Sequence, residues 1–301
     1  MVGLFRTIIS SRRNPRLRAI LELRDEAAVR RRRQAYMVEG IKLIQEALDA
    51  GASLETVVVS PALRSRPGGA ALLAKLRAGT VPFLAVSDGV MEHLSDARTP
   101  QGALAVARLP QPGEDQPRPG TPLLVAWHVQ DPGNLGALLR VVEACGAAGL
   151  VAAGAGADPY QPRAVRAAAG SLFRIRPRRF ALSGPLLAWL DRQGYRLAAA
   201  SPRRGIPAHR FPWNHRWAIL VGGEGRGLPA QLLDRAERHL HVPMAGKVES
   251  LSVPVAGALI LHAAMRWRNS SRRRTPPSGT RRPAPTGGRK PRSPRSPPGG
   301  G

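Results

Sequence analysis

The stretch "PLLVAWHVQDPGNLGALLRVVEACGAAGLVAAG", residues 122–154, decides the fold class. It begins and ends with short, continuous apolar runs, and the segment between them, "NLGALLRVVEACGA", has helical spacing. Apolar runs that alternate with helices are typical of parallel strands buried on both faces of a sheet. The alternation continues through "PRAVRAAAG" and "GPLLAWLDRQG" (helices), "YRLAAAS" and "WAILVGG" (strands), "PAQLLDRAERHL" (helix), a short "HVPM" strand and a long last helix. We therefore expect an α/β domain with a parallel sheet over residues 122–268.

The rest of the chain divides into three further segments. Residues 1–109 alternate helical patterns with short extended runs, "YMVEG", "ETVVVS", "FLAVS" and "GALAVAR", and predict a small α/β domain. Residues 110–121 are rich in Pro, Gly and charge and predict a linker. Residues 269–301 lack acidic side chains and consist mainly of Ser, Arg, Pro and Gly, which predicts a disordered basic tail.

The formal net charge of +26 indicates a polyanionic partner, either nucleic acid or an anionic membrane surface. The alternative is a GC-rich genome that replaces Lys by Arg. It explains why the basic residues are arginines but not why they outnumber Asp and Glu, so nucleic acid is the favoured partner. A single cysteine, Cys145, excludes a disulfide within the chain and favours a reducing compartment. The N-terminal stretch has too short an apolar run and the wrong charge order for a secretory signal, so we expect none, and the sequence has no apolar run of the roughly 20 residues that span a bilayer. We expect a soluble cytoplasmic protein with no membrane partner.

Two polar loops follow apolar strands in the second domain. In "QDPGNLGALLR", residues 130–140, Asn134 is a candidate helix N-cap and Arg140 lies in the second helical turn; turn shaping and a solvated arginine are the alternative readings. In "LVGGEGRGLP", residues 220–229, the glycine spacing matches neither a dinucleotide-binding nor a Walker A loop. Glu224 in that loop has no local basic partner, and we expect it to meet an arginine, with Arg140 as a candidate.

A third loop, in "GKVESLSVPVAGALILHAAMRW", residues 246–267, runs into the last helix. Ser252 can cap a helix that begins at Val253, but capping gives no role to Ser250. No G-x-S-x-G elbow is present, which argues against a serine hydrolase. We expect no metal site, because Cys145 is alone and the histidines lack ligand spacing.

Together these loops resemble the SpoU (TrmH-like) branch of the SPOUT RNA 2′-O-ribose methyltransferases. "DPGNLGALLRVVEACGAAGL" resembles the first motif of the family, "ILVGGEGRGLP" the second and "HVPMAGKVESLSVPVAGALIL" the third, in the same order. The N-terminal "ISSRRNPRLRAILELRDEAAVRRRRQAYMVEG" resembles the accessory substrate-binding domain, of the L30e ribosomal-protein type. The resemblance therefore extends over almost the whole folded chain.

The resemblance implies a deep trefoil knot, a homodimer with its active site at the interface, and S-adenosylmethionine as cofactor. The implied cofactor-binding residues are Gly222, Gly223, Gly227, Val242, Met244 and Leu251. The implied catalytic group is Asn134, Arg140, Glu224, Ser250 and Ser252, and at position 252 the family usually has Asn. Similar enzymes have been argued to use the arginine as the base, but a guanidinium is effectively always protonated, so we expect Arg140 to orient the hydroxyl and hold phosphate.

The predicted RNA-binding residues are basic or polar and lie in the first domain: Arg12, Arg13, Asn14, Arg16, Arg30, Arg31, Arg32 and Arg33. The tail arginines Arg272, Arg273, Arg274, Arg281 and Arg282 could add phosphate contacts. A solvated helix face is the alternative for the run at residues 30–33. The predicted function is S-adenosylmethionine-dependent methylation of ribosomal RNA, with tRNA as the rival substrate and a non-catalytic RNA-binding protein as the alternative.

Overall fold

The computed structural model describes residues 7–110, 121–225 and 227–274. Within them the first unit contains five helices and five strands: β1 (Ile8–Ile9), α1 (Pro15–Asp25), α2 (Ala27–Arg33), β2 (Ala35–Glu39), α3 (Ile41–Asp49), β3 (Leu54–Val59), α4 (Gly69–Ala78), β4 (Phe83–Val86), α5 (Asp88–Leu94) and β5 (Ala103–Arg108). Its sheet has the order β1-β4-β3-β5-β2, in which β5 runs antiparallel to both of its neighbours. The four strands that the sequence predicts here are confirmed.

Local chemistry sets where the first helices begin and end. Asn14 caps α1 by accepting a hydrogen bond from the backbone N–H of Arg16, and Pro15 occupies the first helical turn. Glu26 is extended and separates α1 from α2. Leu17 and Leu23 on α1 belong to the buried cluster that includes strand residues of this unit, so the helix covers one face of the sheet.

The second unit contains β6 (Leu123–Trp127), α6 (Pro132–Cys145), β7 (Gly149–Ala153), α7 (Pro162–Ala168), β8 (Arg178–Phe180), α8 (Ser183–Arg192), β9 (Arg196–Ala200), β10 (Ile206–Pro207), β11 (Trp217–Gly222), α9 (Ala230–Asp234), β12 (Arg238–His241) and α10 (Val253–Arg274). In the described part of the chain its sheet has seven parallel strands in the order β10-β12-β9-β11-β6-β7-β8. This confirms the predicted α/β class and parallel sheet.

The two faces of this sheet are covered by different helices. Residues of α6 and α10, such as Leu138 and Ile260, share a buried cluster with the inward side chains of one face. Leu186 of α8 and Leu232 of α9 share a second cluster with Val125 and other side chains of the opposite face. Apolar runs that are buried on both sides thus account for the continuous hydrophobic strands in the sequence.

Some element boundaries differ from the sequence prediction. The helix predicted over residues 229–240 ends at Asp234, and Arg238–His241 form strand β12 instead of a helix. Pairing of β12 with both β9 and β10 buries Leu240, and this tertiary contact outweighs the helical spacing. The strand predicted at "HVPM" therefore lies earlier in the chain. The strands β8 and β10 have no counterpart in the prediction.

The last helix is longer than expected. α10 continues to Arg274, so residues 269–274, which the sequence assigns to the disordered tail, have helical backbone. The remaining predicted tail, with Arg281 and Arg282, lies outside the described residues, as does most of the predicted linker. The knot stays a prediction of the family resemblance. None of the described helices combines the length and the apolar character needed to cross a membrane.

The two units are joined by a buried polar contact. Arg30 of α2 and Asp158 form an ion pair with an Nε–Oδ2 distance of 2.9 Å, and their side chains are 4% and 8% exposed. Arg30 also donates to the carbonyls of Leu23 and Arg24. The prediction that Arg30 contacts RNA is therefore wrong, because its guanidinium is buried and held by Asp158 and two backbone carbonyls.

Candidate functional site

A cavity of about 580 Å³ lies at the carboxyl edge of the parallel sheet. The segments that follow β9, β11 and β12 line it, together with the first turns of α10. Open α/β sheets bind ligands at this edge, and the volume suits a nucleotide-sized molecule. The structure brings together around this cavity all the residues that the sequence predicts for cofactor binding: Gly222, Gly223, Gly227, Val242, Met244 and Leu251.

Two glycines allow the wall of this cavity to form from backbone. A Cβ at Gly223 would lie 2.1 Å from the carbonyl oxygen of His128, and one at Gly222 would lie 2.6 Å from the carbonyl carbon of Gly227. Neither contact leaves room for a side chain, because both neighbours are main-chain atoms. The loop after β11 can therefore approach the end of β6 closely, and Gly223 N–H donates to the carbonyl of Trp127 there.

The rest of the cavity wall is largely aliphatic. Val242, Leu251 and Ile260 contribute from the loop after β12 and from α10, and Met244 adds a thioether. Apolar walls with a few polar backbone groups suit a ligand that carries an aromatic base and an aliphatic chain. S-adenosylmethionine has both parts, so the residues present fit this cofactor.

The polar mouth of the cavity contains the hydrogen bond between Asn134 and Glu224. Asn134 Nδ2 donates to Glu224 Oε1 at 2.9 Å. Asn134 is not the N-cap of α6, as the sequence suggested, because the helix begins at Pro132. Asp131 caps it by accepting from the backbone N–H of Asn134. The cap at Asp131 leaves the Asn134 amide free to reach Glu224.

Arg140 lies elsewhere on the chain. It is exposed on α6 and lines a separate groove between α3, α6 and α7, together with Lys42, Glu46 and Arg166. The expected pairing of Glu224 with Arg140 is therefore not found within one chain, and Glu224 bonds to Asn134 instead. Six residues of helix, about 9 Å along the axis, separate Arg140 from Asn134.

The two serines of the third motif occupy different positions. Ser250 is exposed and lines the cavity beside Leu251. Ser252 directly precedes α10, and its carbonyl accepts the backbone N–H of Ala256 at 2.9 Å, which confirms that the helix begins at Val253. Ser252 is not among the cavity-lining residues. Asn134, Glu224 and Ser250 are therefore the predicted catalytic residues that lie at or beside the cavity.

Several residues near this edge have no counterpart in the sequence prediction. Ala200 and Ser201 line the cavity at the end of β9, where the carboxyl end of a parallel strand was itself an available signal. His128 has a positive φ of 54°, an uncommon conformation for a non-glycine residue, and lies three residues before the first motif. Asp131 also pairs with Arg163 at 3.0 Å, which ties the first motif to α7.

Apart from the buried Arg30, most of the predicted RNA-binding residues are exposed. Arg13, Arg16, Arg31 and Arg32 are exposed, and Arg12 makes only a long contact, 3.4 Å, to the carbonyl of Gly89. Asn14 is used as the cap of α1, and Arg33 pairs with Glu55 at 3.2 Å. The side chains of residues 272–274 lie outside what the structure describes. Among the described residues no cluster of His, Cys, Asp and Glu could hold a metal ion.

Two family models match the chain. The SpoU rRNA Methylase family matches residues 122–262, and the MRM3-like substrate binding domain matches residues 14–105. These ranges correspond to the second and the first unit of the structure.

Related proteins and structures cover most of the chain. The 23S rRNA (guanosine(2553)-2′-O)-methyltransferase RlmP of Bacillus subtilis is 29% identical over 77% of this chain and 89% of its own. A crystal structure of an RNA 2′-O ribose methyltransferase has a TM-score of 0.73 and 33% identity, and covers 87% of this chain and 100% of its own. The SpoU methyltransferase AviRb from Streptomyces viridochromogenes, crystallised with AdoMet, has a TM-score of 0.74 and 26% identity, over 85% of this chain and 100% of its own.

Proposed function

The chain belongs to the SpoU rRNA methylase family, and we propose that it methylates the ribose 2′-hydroxyl of a nucleotide in ribosomal RNA. It is an RNA 2′-O-methyltransferase with S-adenosylmethionine as cofactor. Ribosomal RNA is favoured over tRNA because two relatives with a named target nucleotide, from Bacillus subtilis and Streptomyces viridochromogenes, are called 23S rRNA methyltransferases.

The observation that carries this proposal is the convergence of three separate sequence motifs on one cavity. The first motif supplies Asn134, the second supplies Glu224 and the glycines, and the third supplies Ser250 and Leu251. These residues lie far apart in the sequence and meet at the carboxyl edge of the sheet. A solvated turn or a helix cap would not require them to share a site.

The apolar walls would hold the adenosine and the methionine chain, while backbone groups of the loop after β11 would bind their polar edges. When bound, S-adenosylmethionine supplies an electrophilic methyl group on a sulfonium. The protein must then hold the ribose oxygen in line with that group, and such positioning alone can provide a large part of the acceleration.

The residues at the mouth can position the ribose. Ser250 is exposed beside the cavity and can hydrogen-bond to the 2′-hydroxyl or to the sugar next to it. The Asn134–Glu224 hydrogen bond fixes the carboxylate at the rim, where it can orient a guanidinium or accept a hydrogen bond from the ribose. In our proposal Arg140 orients the hydroxyl and binds the adjacent phosphate, because a guanidinium does not act as a base near neutral pH.

A homodimer reconciles the separate position of Arg140 with this role. We propose that Arg140 completes the site of the second copy of the chain, and that the interface includes α10. Val255 and Leu259 on α10 are 46% and 45% exposed, and they lie one helical turn apart on the same side of the helix. A two-fold interface would use this surface twice and generate two equivalent sites. In this proposal the protein works in the cytoplasm, where its ribosomal RNA substrate is found.

The function is tested by methyl transfer to ribosomal RNA in vitro, with calorimetric titration of S-adenosylmethionine as a separate readout. The Arg140→Ala variant should bind S-adenosylmethionine like the wild type and lose at least about a hundredfold in methyl transfer. Arg77→Gln, an exposed substitution on α4, is the matched control and should retain activity. If Arg140→Ala keeps most of its turnover, the role given to Arg140 is wrong.

The shared site is tested by mixing two inactive variants, Arg140→Ala and Glu224→Ala. If each site takes these residues from different copies, a mixed dimer has one intact site, and a mixture of equal amounts should recover roughly a quarter of wild-type activity. If both residues act from the same copy, every site in the mixed dimer lacks one of them and no activity returns. Light scattering should give the mass of two chains.

A further inference from the structure

A second cavity, of about 490 Å³, lies at the boundary between the two units. We call it the basic cleft. Arginines and aromatic residues are prominent in its lining, which includes Arg31, Arg176, Arg178, Tyr160 and Trp189. The cleft is not part of the active site described above. Residues at or next to the starts of β6, β7 and β8 line it, whereas the cofactor cavity lies at the opposite ends of the sheet's strands. A strand of five residues separates the two edges by about 16 Å.

The positive charge of the basic cleft is only partly compensated, because Arg174 pairs with Glu143 but other lining arginines have no acidic partner in the described chain. Asp158 is the acidic residue among its lining residues, and it is already held by Arg30 at 2.9 Å and by Arg179 at 3.4 Å. Within the described chain no acidic side chain pairs with Arg31, Arg176 or Arg178. A concave surface with this charge attracts an anion, and its field is concentrated by the low-dielectric walls.

Two hydrogen-bond donors in the basic cleft lack a protein acceptor. Arg176 Nη1 and the Tyr160 hydroxyl are both buried and have no hydrogen-bond partner among the described residues. The Tyr160 side chain is only 6% exposed, and burial raises its pKa above the ordinary value, so the hydroxyl stays a donor at neutral pH. Buried donors are nearly always satisfied in native proteins, and a phosphate oxygen in the cleft would serve as acceptor for both.

The wall next to these donors is aromatic. The guanidinium carbon of Arg178 lies 5.2 Å from the ring centroid of Trp189, which also packs against Phe180 and Tyr195. Arg178 is exposed and Trp189 is half-buried, so the pair forms a flat surface at the opening of the cleft. Arginine planes and aromatic rings are the surfaces on which unpaired RNA bases stack.

We propose that the basic cleft binds one unpaired nucleotide of the RNA substrate, outside the nucleotide that is methylated. Arg176 and Tyr160 hold its phosphate, and the Arg178–Trp189 pair holds its base. A single-stranded segment fits the cleft better than a duplex, because the cavity admits one nucleotide and its wall offers a stacking surface. This inference rests on the proposed function for the identity of the polyanion. Arg31 belongs to the first unit. RNA bound in the cleft would therefore contact both the first unit and the edge of the sheet opposite the active site.

The test uses fluorescein-labelled hexauridylate as the probe, with affinity measured by anisotropy over a range of salt concentrations. Arg176→Gln and Arg178→Gln should each weaken binding several-fold and lower the slope of log affinity against log salt by about 0.7, the value for one phosphate contact on a single strand. Tyr160→Phe should weaken binding without changing the slope, because it removes a donor and no charge. Arg77→Gln, an equal loss of charge on exposed α4, should change the slope less.

Three further readouts complete the design. The affinity for S-adenosylmethionine should stay unchanged in every cleft variant, which shows that the cofactor cavity is intact. Hexauridylate should quench tryptophan fluorescence in the wild type and much less in Trp189→Phe. Uridine monophosphate and inorganic phosphate, used as competitors, should displace the probe only at far higher concentrations than unlabelled hexauridylate.

The outcomes separate this inference from the proposed function. An unchanged salt slope in both arginine variants overturns the cleft as an RNA site, and so does a monophosphate that competes as well as the hexamer, since a free nucleotide is then the ligand. If the wild type binds hexauridylate through the cleft but transfers no methyl group, the cleft stands and the proposed function fails.

Discussion

Arg30 forms a buried ion pair between the two units of this protein, and its removal gives a measurable prediction for stability. Its Nε lies 2.9 Å from Asp158 Oδ2, and its Nη1 donates to the carbonyls of Leu23 and Arg24 at 2.7 and 2.9 Å. Breaking one partner of a buried ion pair costs about 3 to 5 kcal/mol, because the other charge remains buried without compensation. An exposed pair contributes only about 0.2 to 1 kcal/mol.

The two partners should not contribute equally. In Arg30→Met the Asp158 carboxylate still has Arg179 at 3.4 Å, so we expect a loss near the lower end of the range. In Asp158→Asn the Arg30 guanidinium keeps only backbone carbonyls, so the loss should lie near the upper end. The double variant should cost less than the sum of the single variants, because it leaves neither charge behind. Arg235→Gln, which breaks an exposed pair with Asp191, is the control and should cost at most about 1 kcal/mol.

Urea unfolding of the full chain provides the assay. All tryptophans lie beyond residue 122, so their fluorescence follows the second unit, whereas circular dichroism follows both. In the wild type the two transitions should coincide; in the Arg30 and Asp158 variants both should shift to lower urea and stay together, because the Arg166–Asp96 pair and the shared apolar core still join the two units. An Arg30→Met protein that is as stable as the Arg235→Gln control, but has lost RNA affinity, would refute the structural role and restore the RNA contact suggested by the sequence.

The remaining predictions concern the cavity, the third motif and the cysteine. Gly223→Ala should abolish S-adenosylmethionine binding, because its Cβ would lie 2.1 Å from the His128 carbonyl oxygen, whereas Gly246→Ala, with open space around the Cβ, should bind normally; equal titration curves would contradict this. Ser252→Asn should keep the thermal midpoint and leave methyl transfer equal or higher, and a large drop in activity would show that the family geometry does not hold here. Burial raises the pKa of the Cys145 thiol, so at pH 8 it should react with a disulfide reagent more slowly than the same thiol in the urea-unfolded chain; equal rates would count against its burial.

The parallel domain could be predicted because its strands are continuous apolar runs. Such runs need cover on both faces, and the helical segments that alternate with them in the sequence can supply it, which indicates the α/β class. The sequence did not predict strand β12, and the reason is physical. Its spacing is compatible with a helix, and only the neighbouring strands β9 and β10 make the extended form favourable by burying Leu240. Local sequence does not contain the position of those neighbours.

The site residues likewise fall into those that the sequence could assign and those that it could not. The predicted cofactor-binding residues were assigned from the resemblance of three motifs to the family, and the structure brings them together around one cavity. The ion pair of Arg30 could not be assigned, because a run of four arginines on a short helix gives no sign of which one faces the other unit. Burial of Arg30 depends on Asp158, which lies 128 residues away in the sequence. Within one chain Glu224 accepts a hydrogen bond from Asn134 and does not meet Arg140, and local sequence offered no sign of this contact either.

The most direct test of the central claim is the mapping of 2′-O-methyl groups in ribosomal RNA and tRNA from cells that have or lack this gene. We expect one ribosomal RNA nucleotide to lose its 2′-O-methyl group in the deletion strain. A plasmid with the wild-type chain should restore the mark, and one with Arg140→Ala should not. An unchanged ribosomal RNA together with a lost tRNA mark would contradict the proposed substrate, and no change in either RNA would contradict the methyltransferase function itself.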